Sequence, residues 1–486
     1  FKKMNDKQVR VRIAPSPSGN LHVGTARTAL FNYLCAKKNG GKYILRIEDT
    51  DLERTEQKYI DNIYDSLKAI GLNWDEGPDV GGPYAPYQQS ERFDIYKKYA
   101  QKLLDEGYAY ECFCTQEELD AEKEQAIKER RAYKYSGKCR HLTSEQKEEL
   151  RKQGKKPVLR FAVPEGHMKF KDLVKGELEF DLGLVGDFVI MKSNGIPTYN
   201  FAVVVDDIEM KMTHIIRGED HISNTPKQIM IYNALGAEVP QFAHVGMILA
   251  PDKSKLSKRH GATAVSDFIA QGYLPEAFVN FIALLGWSPS DGEEIKTLDE
   301  IAKDFDLSRL SSSNSIFEYD KLKWMNGHYI RHLPIEDITN RAKAYLTDYD
   351  LSKYSEKQLQ QIIESTREPI SLLSEIKDGV SYFFEDELTI DEDVKNDILK
   401  TDLGKEVLEA FLKLCDELKF DDVEEIHHQL EAFRGVFKEK GIKPKQTMWI
   451  VRGAITGRTR GADIGVIISV LGKNRVVERV KKAMAI

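Results

Sequence analysis

Three groups of residues in this 486-residue chain have types and spacings that could do chemistry. Pro17, Ser18 and Gly19 form a turn ahead of His22-Val23-Gly24, where a helical pattern begins. Free backbone N–H groups and the dipole at a helix N-terminus favour an anion, and a glycine there lets a ligand lie close to the backbone. An ordinary helix cap is the plainer reading of such a histidine. Lys255-Leu256-Ser257-Lys258-Arg259 forms a basic loop after Pro251-Asp252, read as an anion clamp or as a solvated face. Cys112, Cys114, Cys139 and His141 supply three thiols and an imidazole in two close pairs, the donor set of a closed, structural Zn²⁺ site. A disulfide between two of the thiols is the alternative. Cys35 and Cys415 stand alone in helical patterns and read as buried small apolar residues.

The elements that must position these groups follow from periodicity. Residues 9–14 alternate as a strand, 22–38 repeat as a helix stopped by Gly40-Gly41, and 43–47 form a second strand that delivers Glu48 and Asp49 at its end. Helices are expected at about 54–70 and 88–107. Strand, helix, strand implies a parallel sheet with ligands at the carboxyl ends of its strands. The rhythm breaks over 111–198 (a Lys/Glu-rich helix, short strands such as Val158–Phe161), which reads as an insertion. Apolar strands and helices resume with Phe201–Val205, Ile215-Ile216 and a helix at 226–235, completing the first sheet, and short helices follow over 264–330. From 331 nearly every segment has a 3.6-residue period, as in Leu408, Phe411, Leu412 and Cys415, so this part is expected to be all-α.

The expected architecture is therefore an α/β Rossmann-like domain with a zinc-containing insertion, followed by an all-α C-terminal region. Its parts are 1–110 and 199–250 (the two halves of the α/β domain), 111–198 (the insertion), 251–330 (the basic-loop region) and 331–486 (helical). Charged residues make up 31% of the chain with no long apolar run, so no membrane segment is expected. Residues 1–8 hold no export signal, Phe1–Lys3 read as a remnant ahead of a start at Met4, and a cytoplasmic location is expected. A net charge of -7 argues against a nucleic-acid partner only if the charge is evenly spread. It is not: residues 438–486 hold 12 Lys and Arg against three acids, a surplus of +9 that leaves -16 on the other 437 residues.

Taken together, the His22 and Lys255 motifs, 233 residues apart, resemble the two signatures of class I aminoacyl-tRNA synthetases. Five further stretches make the chain similar to the bacterial-type glutamyl-tRNA synthetases: Arg12–Pro17, Leu45–Asp51, Pro197–Phe201, Ile216–Asp220 and Leu284–Pro289. Val23 and Thr25 depart from the His-Ile-Gly-His pattern, and Leu256 and Arg259 from Lys-Met-Ser-Lys-Ser. The resemblance implies activation of L-glutamate by ATP with Mg²⁺, then transfer to the 3′ end of tRNA-Glu, possibly also tRNA-Gln, by a monomer. It implies catalysis by His22, Lys255 and Lys258, with ATP held by Pro15, Ser16, Gly19, His22, Gly24, Thr25 and the loop Lys255, Leu256, Ser257, Lys258, Arg259. Glutamate would be bound by Arg12, Ala14, Ser16, Glu48, Tyr199, Val203 and Arg217. Arginine suits bidentate carboxylate binding, and an uncharged amide would leave a desolvated arginine unpaired, enough to reject glutamine by roughly 10⁴-fold.

The resemblance also strengthens the zinc reading of Cys112, Cys114, Cys139 and His141, and assigns anticodon reading to the helical region. Candidates there are Trp449, Arg452, Arg458 and Arg460, where unstacked bases would meet aromatic and arginine side chains. The plainer reading makes Trp449 core and the arginines surface. Arg367 lies in the stretch where some relatives check the third anticodon base. A glutamine-specific relative is disfavoured because its C-terminal region is β-barrel. A shorter relative that glutamylates a tRNA base lacks that region altogether. From another class, an inert zinc- and RNA-binding descendant of a synthetase is the alternative.

Overall fold

The computed structural model describes residues 7–486; the expected remnant and start at Phe1–Met4 lie outside the described residues. The chain divides into two compact units, one running to Phe268 and taking in Phe278–Glu318, the other made of Ile269–Ala277 and Tyr319–Ile486. The change at 318/319 comes before the expected boundary at 330/331, which falls inside the helix Tyr319–His332.

In the first unit, β1 (Arg10–Ile13) is buried along its whole length and pairs in parallel with β2 (Lys42–Leu45). Between them runs α1 (Val23–Asn39), capped at its start by the His22 side chain and at its end by Gly40 with φ of 62°, a left-handed conformation that glycine adopts without a Cβ clash. Two amphipathic helices follow, α2 (Gln57–Ala69) and α3 (Phe93–Asp105).

The expected insertion opens with β3 (Ala109–Cys112), α4 (Gln116–Lys128) and α5 (Ser144–Lys152). It continues with β4 (Val158–Phe161), β5 (His167–Asp172), β6 (Gly176–Asp181) and β7 (Val189–Met191). Its strands split between two sheets: β3, β4 and β7 form an antiparallel sheet of their own, whereas the β5–β6 hairpin joins another, in the order β6-β5-β9-β8. The alternation in His-Met-Lys-Phe-Lys-Asp explains the second placement, because Met168, Phe170 and Asp172 share one face of β5. Phe170 stacks on Phe180 at 5.9 Å and meets Phe242 edge-on at 5.8 Å.

The chain then forms α6 (Tyr199–Glu209), β8 (His214–Gly218), α7 (Thr225–Ala234) and β9 (Gln241–Val245). Phe201–Val205, readable as strand or helix, is the buried face of α6. β8 and β9 are parallel, and the Thr213 N–H donates to the Arg10 carbonyl at 2.9 Å, setting this part beside β1. A continuous core joins α3, α6, α7, β8 and β9 through Tyr96, Leu103, Phe201, Val205, Ile215 and Phe242.

The second unit is helical: no strand occurs after Ile316 among the described residues. Leu408, Phe411 and Cys415 are buried along the helix Asp402–Leu414 and its cap, while Leu412 is half-buried. No helix of the described residues is long and apolar enough to cross a membrane.

Candidate active site and metal centre

The carboxyl ends of β1, β2 and β8 carry a buried charge network. Arg12 on β1 donates from Nε and Nη2 to the two carboxylate oxygens of Asp207 on α6, each at 3.0 Å. Arg46, fully buried, donates to Asp207 at 2.8 Å and to Glu48 at 3.1 Å. Asp206 accepts from Arg92 at 2.7 Å, Tyr96 at 2.8 Å and Gln89 at 2.9 Å. The Arg12 fork, expected to face a free ligand, is thus held by Asp207, and its Nη1 is the nitrogen left without a partner among the described residues. Burial pushes the Glu48 carboxyl up to about 7, against the pull of Arg46 and Arg12.

Arg217 on β8 differs in kind. It is 5% exposed, and its guanidinium donates only to neutral acceptors: His244 Nε2 at 3.0 Å, Gln228 Oε1 at 2.8 Å and Thr225 Oγ1 at 2.9 Å. Gln228 is anchored in turn by donating to Asn200 at 3.0 Å. Burial lowers the pKa of Arg217. A buried cation with unquenched charge is costly unless an anion joins it. Tyr199, at the start of α6, is 42% exposed, and its hydroxyl senses the charges of Glu48, Arg217 and Arg12. His221, 3.3 Å from the Tyr199 hydroxyl, completes this wall. Val203 is buried, Ala14 half-buried and Ser16 exposed. Arg12, Glu48, Tyr199 and Arg217 are thus brought together, while sequence reasoning missed Asp207, Arg46, Gln89, His221 and His244.

The His22 and Lys255 motifs meet. The Val23 N–H donates to the Thr263 carbonyl at 2.8 Å and that of Val265 to the Leu21 carbonyl at 3.0 Å, tying the segment beyond the basic loop to the start of α1. Burial and the nearby Lys255 ammonium lower the His22 pKa, and the Leu256 backbone hydrogen-bonds to its ring. Leu256 is buried and anchors the loop, leaving Lys255, Lys258 and Arg259 exposed. His260 braces the loop by accepting from the Ser257 N–H at 3.1 Å. Gly24 has a different role from the expected one. Its N–H donates to His22 Nδ1 at 2.9 Å, and a Cβ there would lie 3.2 Å from that nitrogen, so the space near its Cα is filled by the imidazole. Gly19 stays open, with nothing within 4 Å of a Cβ built there, while Pro15 is buried and Thr25 half-buried.

In the insertion the thiols of Cys112, Cys114 and Cys139 lie within 4.8 Å of one another, and all three are free. Cys114 and Cys139 Sγ are 3.6 Å apart, close to the roughly 3.7 Å that a tetrahedron of Zn–S bonds of about 2.3 Å requires. The disulfide alternative is thereby set aside. His141 is exposed and outside this cluster. The fourth group at the thiols is the Tyr135 hydroxyl, 3.3 Å from Cys112 Sγ, 3.4 Å from Cys114 Sγ and accepting from the Cys139 N–H at 3.1 Å. The Arg160 guanidinium lies 3.8 Å from the Tyr135 ring centre, a counter-charge for thiolates. A hydrogen bond from Cys139, with help from Tyr135, holds the Cys112 thiol below the ordinary thiol range. The insertion forms a small core of its own from Tyr110, Phe113, Tyr135 and the thiols.

In the second unit, Arg452 donates to the Ala462 carbonyl at 2.6 Å, and Arg458 pairs with Asp378 at 3.2 Å and donates to Ser381 at 2.7 Å. Arg367 donates to the Leu333 carbonyl at 2.7 Å and pairs with Glu364 at 2.8 Å. These three arginines hold the fold. Trp449 is half-buried with Lys445 5.0 Å above its ring, and Arg460 is exposed.

Residues 8–324 match the family model for the catalytic domain of class I tRNA synthetases (E and Q), and residues 337–484 match an anticodon binding domain. The chain belongs to the class I tRNA synthetases of the glutamate and glutamine group. It is 46% identical over 98% of both chains to glutamate–tRNA ligase 1 of Caldicellulosiruptor saccharolyticus, and 47% identical, again over 98% of both, to glutamate–tRNA ligase 2 of Thermoanaerobacter pseudethanolicus. A crystal structure of a glutamate tRNA ligase from Elizabethkingia meningosepticum in complex with its amino acid superposes with a TM-score of 0.90 at 34% identity, covering 99% of each chain. These likenesses favour the synthetase over the inert descendant, and the helical second unit separates the chain from the β-barrel relative.

Proposed function

We propose that this synthetase is a glutamate–tRNA ligase that joins L-glutamate to ATP as glutamyl-adenylate and then to the 3′ end of tRNA-Glu. The observation that carries the reading is Arg217, a buried guanidinium with neutral partners only, facing the same pocket as the Glu48 carboxyl. Arg217 and the free Nη1 of Arg12 bind substrate carboxylates, and ionised Glu48 binds the ammonium group. Glutamine, carrying an amide, would leave a guanidinium desolvated and unpaired.

In the first step the α-carboxylate of glutamate attacks the α-phosphorus and pyrophosphate leaves, so no protein base is needed. The chain's work is positioning and charge stabilisation. Because His22 Nδ1 accepts from Gly24, the neutral ring carries its proton on Nε2 and is a donor. A phosphate oxygen would take the place of the Leu256 backbone as its acceptor. Lys255 and Lys258, exposed on an anchored loop, face the leaving pyrophosphate, with Mg²⁺ arriving as part of the ATP substrate. In the second step the ribose hydroxyl at the tRNA end attacks the adenylate carbonyl and AMP departs.

Cys112, Cys114, Cys139 and Tyr135 would hold one Zn²⁺, whose contribution is to lock the small core of the insertion. A monomer acting in the cytoplasm fits this reading. Charging purified tRNA-Glu and tRNA-Gln with labelled glutamate tests it directly. Glutamyl-tRNA-Glu is the expected product, and failure to glutamylate tRNA-Glu would refute the reading. Lys258→Ala should lower kcat by roughly 10²-fold with the glutamate KM little changed, the scale of one lost stabilising donor.

A further inference from the structure

The Arg217 guanidinium is not steered by an acid directly. Its Nε donates to His244 Nε2 at 3.0 Å, and His244 Nδ1 lies 2.6 Å from Asp172 Oδ2. Asp172 is 1% exposed and His244 fully buried. The Asp172 carboxylate is pinned by the backbone N–H groups of Val174 at 2.9 Å, Lys175 at 2.8 Å and His244 itself at 3.2 Å. A carboxylate so placed only accepts, so His244 carries its proton on Nδ1 and presents a bare Nε2 lone pair to the arginine. Burial keeps the ring neutral by lowering its pKa. The negative charge thus stands one residue behind the arginine: it orients the guanidinium without neutralising it, leaving the positive charge for a substrate.

We propose that Asp172 and His244 are positioning residues that fix the tautomer and the fork of Arg217, and through it the binding of a substrate carboxylate. Asp172 comes from β5, within the segment read as an insertion, so that segment contributes to the amino-acid pocket as well as to the thiol centre. The proposal rests on Arg217 being a substrate-carboxylate ligand.

Steady-state aminoacylation by full-length variants tests it through the KM values for glutamate and ATP taken separately. His244→Leu removes the acceptor and should raise the glutamate KM about 10- to 100-fold, the usual range when an orienting partner is lost, with the ATP KM unchanged. His244→Gln keeps a carbonyl for Arg217 and an amide for Asp172, and should stay within about 3-fold of wild type, since both hydrogen bonds are retained. Asp172→Asn lets its amide donate to Nδ1, driving the proton to Nε2 against the guanidinium, and should behave like His244→Leu. Equal glutamate KM in the Leu and Gln variants, or glutamate and ATP KM rising together, would overturn the proposal in favour of a packing role. Arg217→Ala separates the two ideas. If it raises the glutamate KM and His244→Leu does not, the relay alone fails. If Arg217→Ala leaves the glutamate KM unchanged, the pocket reading fails and the relay with it.

Discussion

Two arginines of the same pocket illustrate how side chains of one type diverge by partner. Arg12 is locked to Asp207 by two hydrogen bonds in a buried pair, whereas Arg217 meets only neutral acceptors. Removing one member of a buried pair costs up to about 3–5 kcal/mol when the charge left behind has no other partner; here Arg46 still donates to Asp207 at 2.8 Å, so the loss is smaller than that. Arg12→Ala should therefore lower Tm, while Arg217→Ala should leave Tm closer to wild type and weaken glutamate binding and its preference over glutamine. Thermal melts paired with glutamate and glutamine KM values check this contrast. Glu48 sets a pH limb. Its carboxyl titrates at about 7, and only the ionised form attracts an ammonium group, so kcat/KM for glutamate should fall about tenfold per unit as pH drops below about 7. The histidines around the pocket, His22, His221 and His244, are held below their ordinary value and titrate at lower pH. In Glu48→Gln the limb near 7 should vanish from the pH profile.

Elements explain why some residues were legible in the sequence and others were not. The start and stop of α1 follow from local rules, His22 as N-cap and Gly40 as C-cap, and both motifs flanking the site were readable from spacing. Spacing does not encode the surroundings of Gly24, beside which the His22 ring folds back, or the place of His141 outside the thiol cluster. Tyr135 lies four residues before Cys139 and joins the thiols only because the chain curls between them. If the proposed Zn²⁺ is held by three thiols and a phenol, Cys139→Ser should lose the metal, while Tyr135→Phe should keep zinc at reduced affinity. Metal analysis of the purified variants decides, and zinc retained in full by Cys139→Ser would remove the assignment. Stripping the metal with a chelator should lower Tm, because the insertion's helices bury little apolar surface of their own.

For the whole molecule, the net charge of -7 conceals a basic C-terminal segment on an acidic body. Binding of tRNA should weaken with added salt, each neutralised phosphate steepening the log-log slope by about 0.7–0.9. Arg460 is exposed, so Arg460→Ala should reduce that slope by about 1 with Tm unchanged, as expected when a single phosphate is no longer neutralised. Arg458 donates to the buried Ser381 hydroxyl and lies over the Tyr382 ring, and Arg458→Ala should lower Tm instead. Titrations with labelled tRNA at several salt concentrations, alongside melts, separate the two. The sequence by itself determined the α/β first part, the helical second part, the His22 and Lys255 motifs and the three thiols, because periodicity, caps and donor types are local properties. Tertiary structure alone decided which charges meet: Asp207 with Arg12, Tyr135 with the thiols, and Asp172 behind His244 and Arg217. The one local hint was Asp172 itself, an acid on the face of β5 that also carries Met168 and Phe170. An acid at an apolar register must find a buried partner, but which partner, 72 residues away, depends on how β5 joins β9.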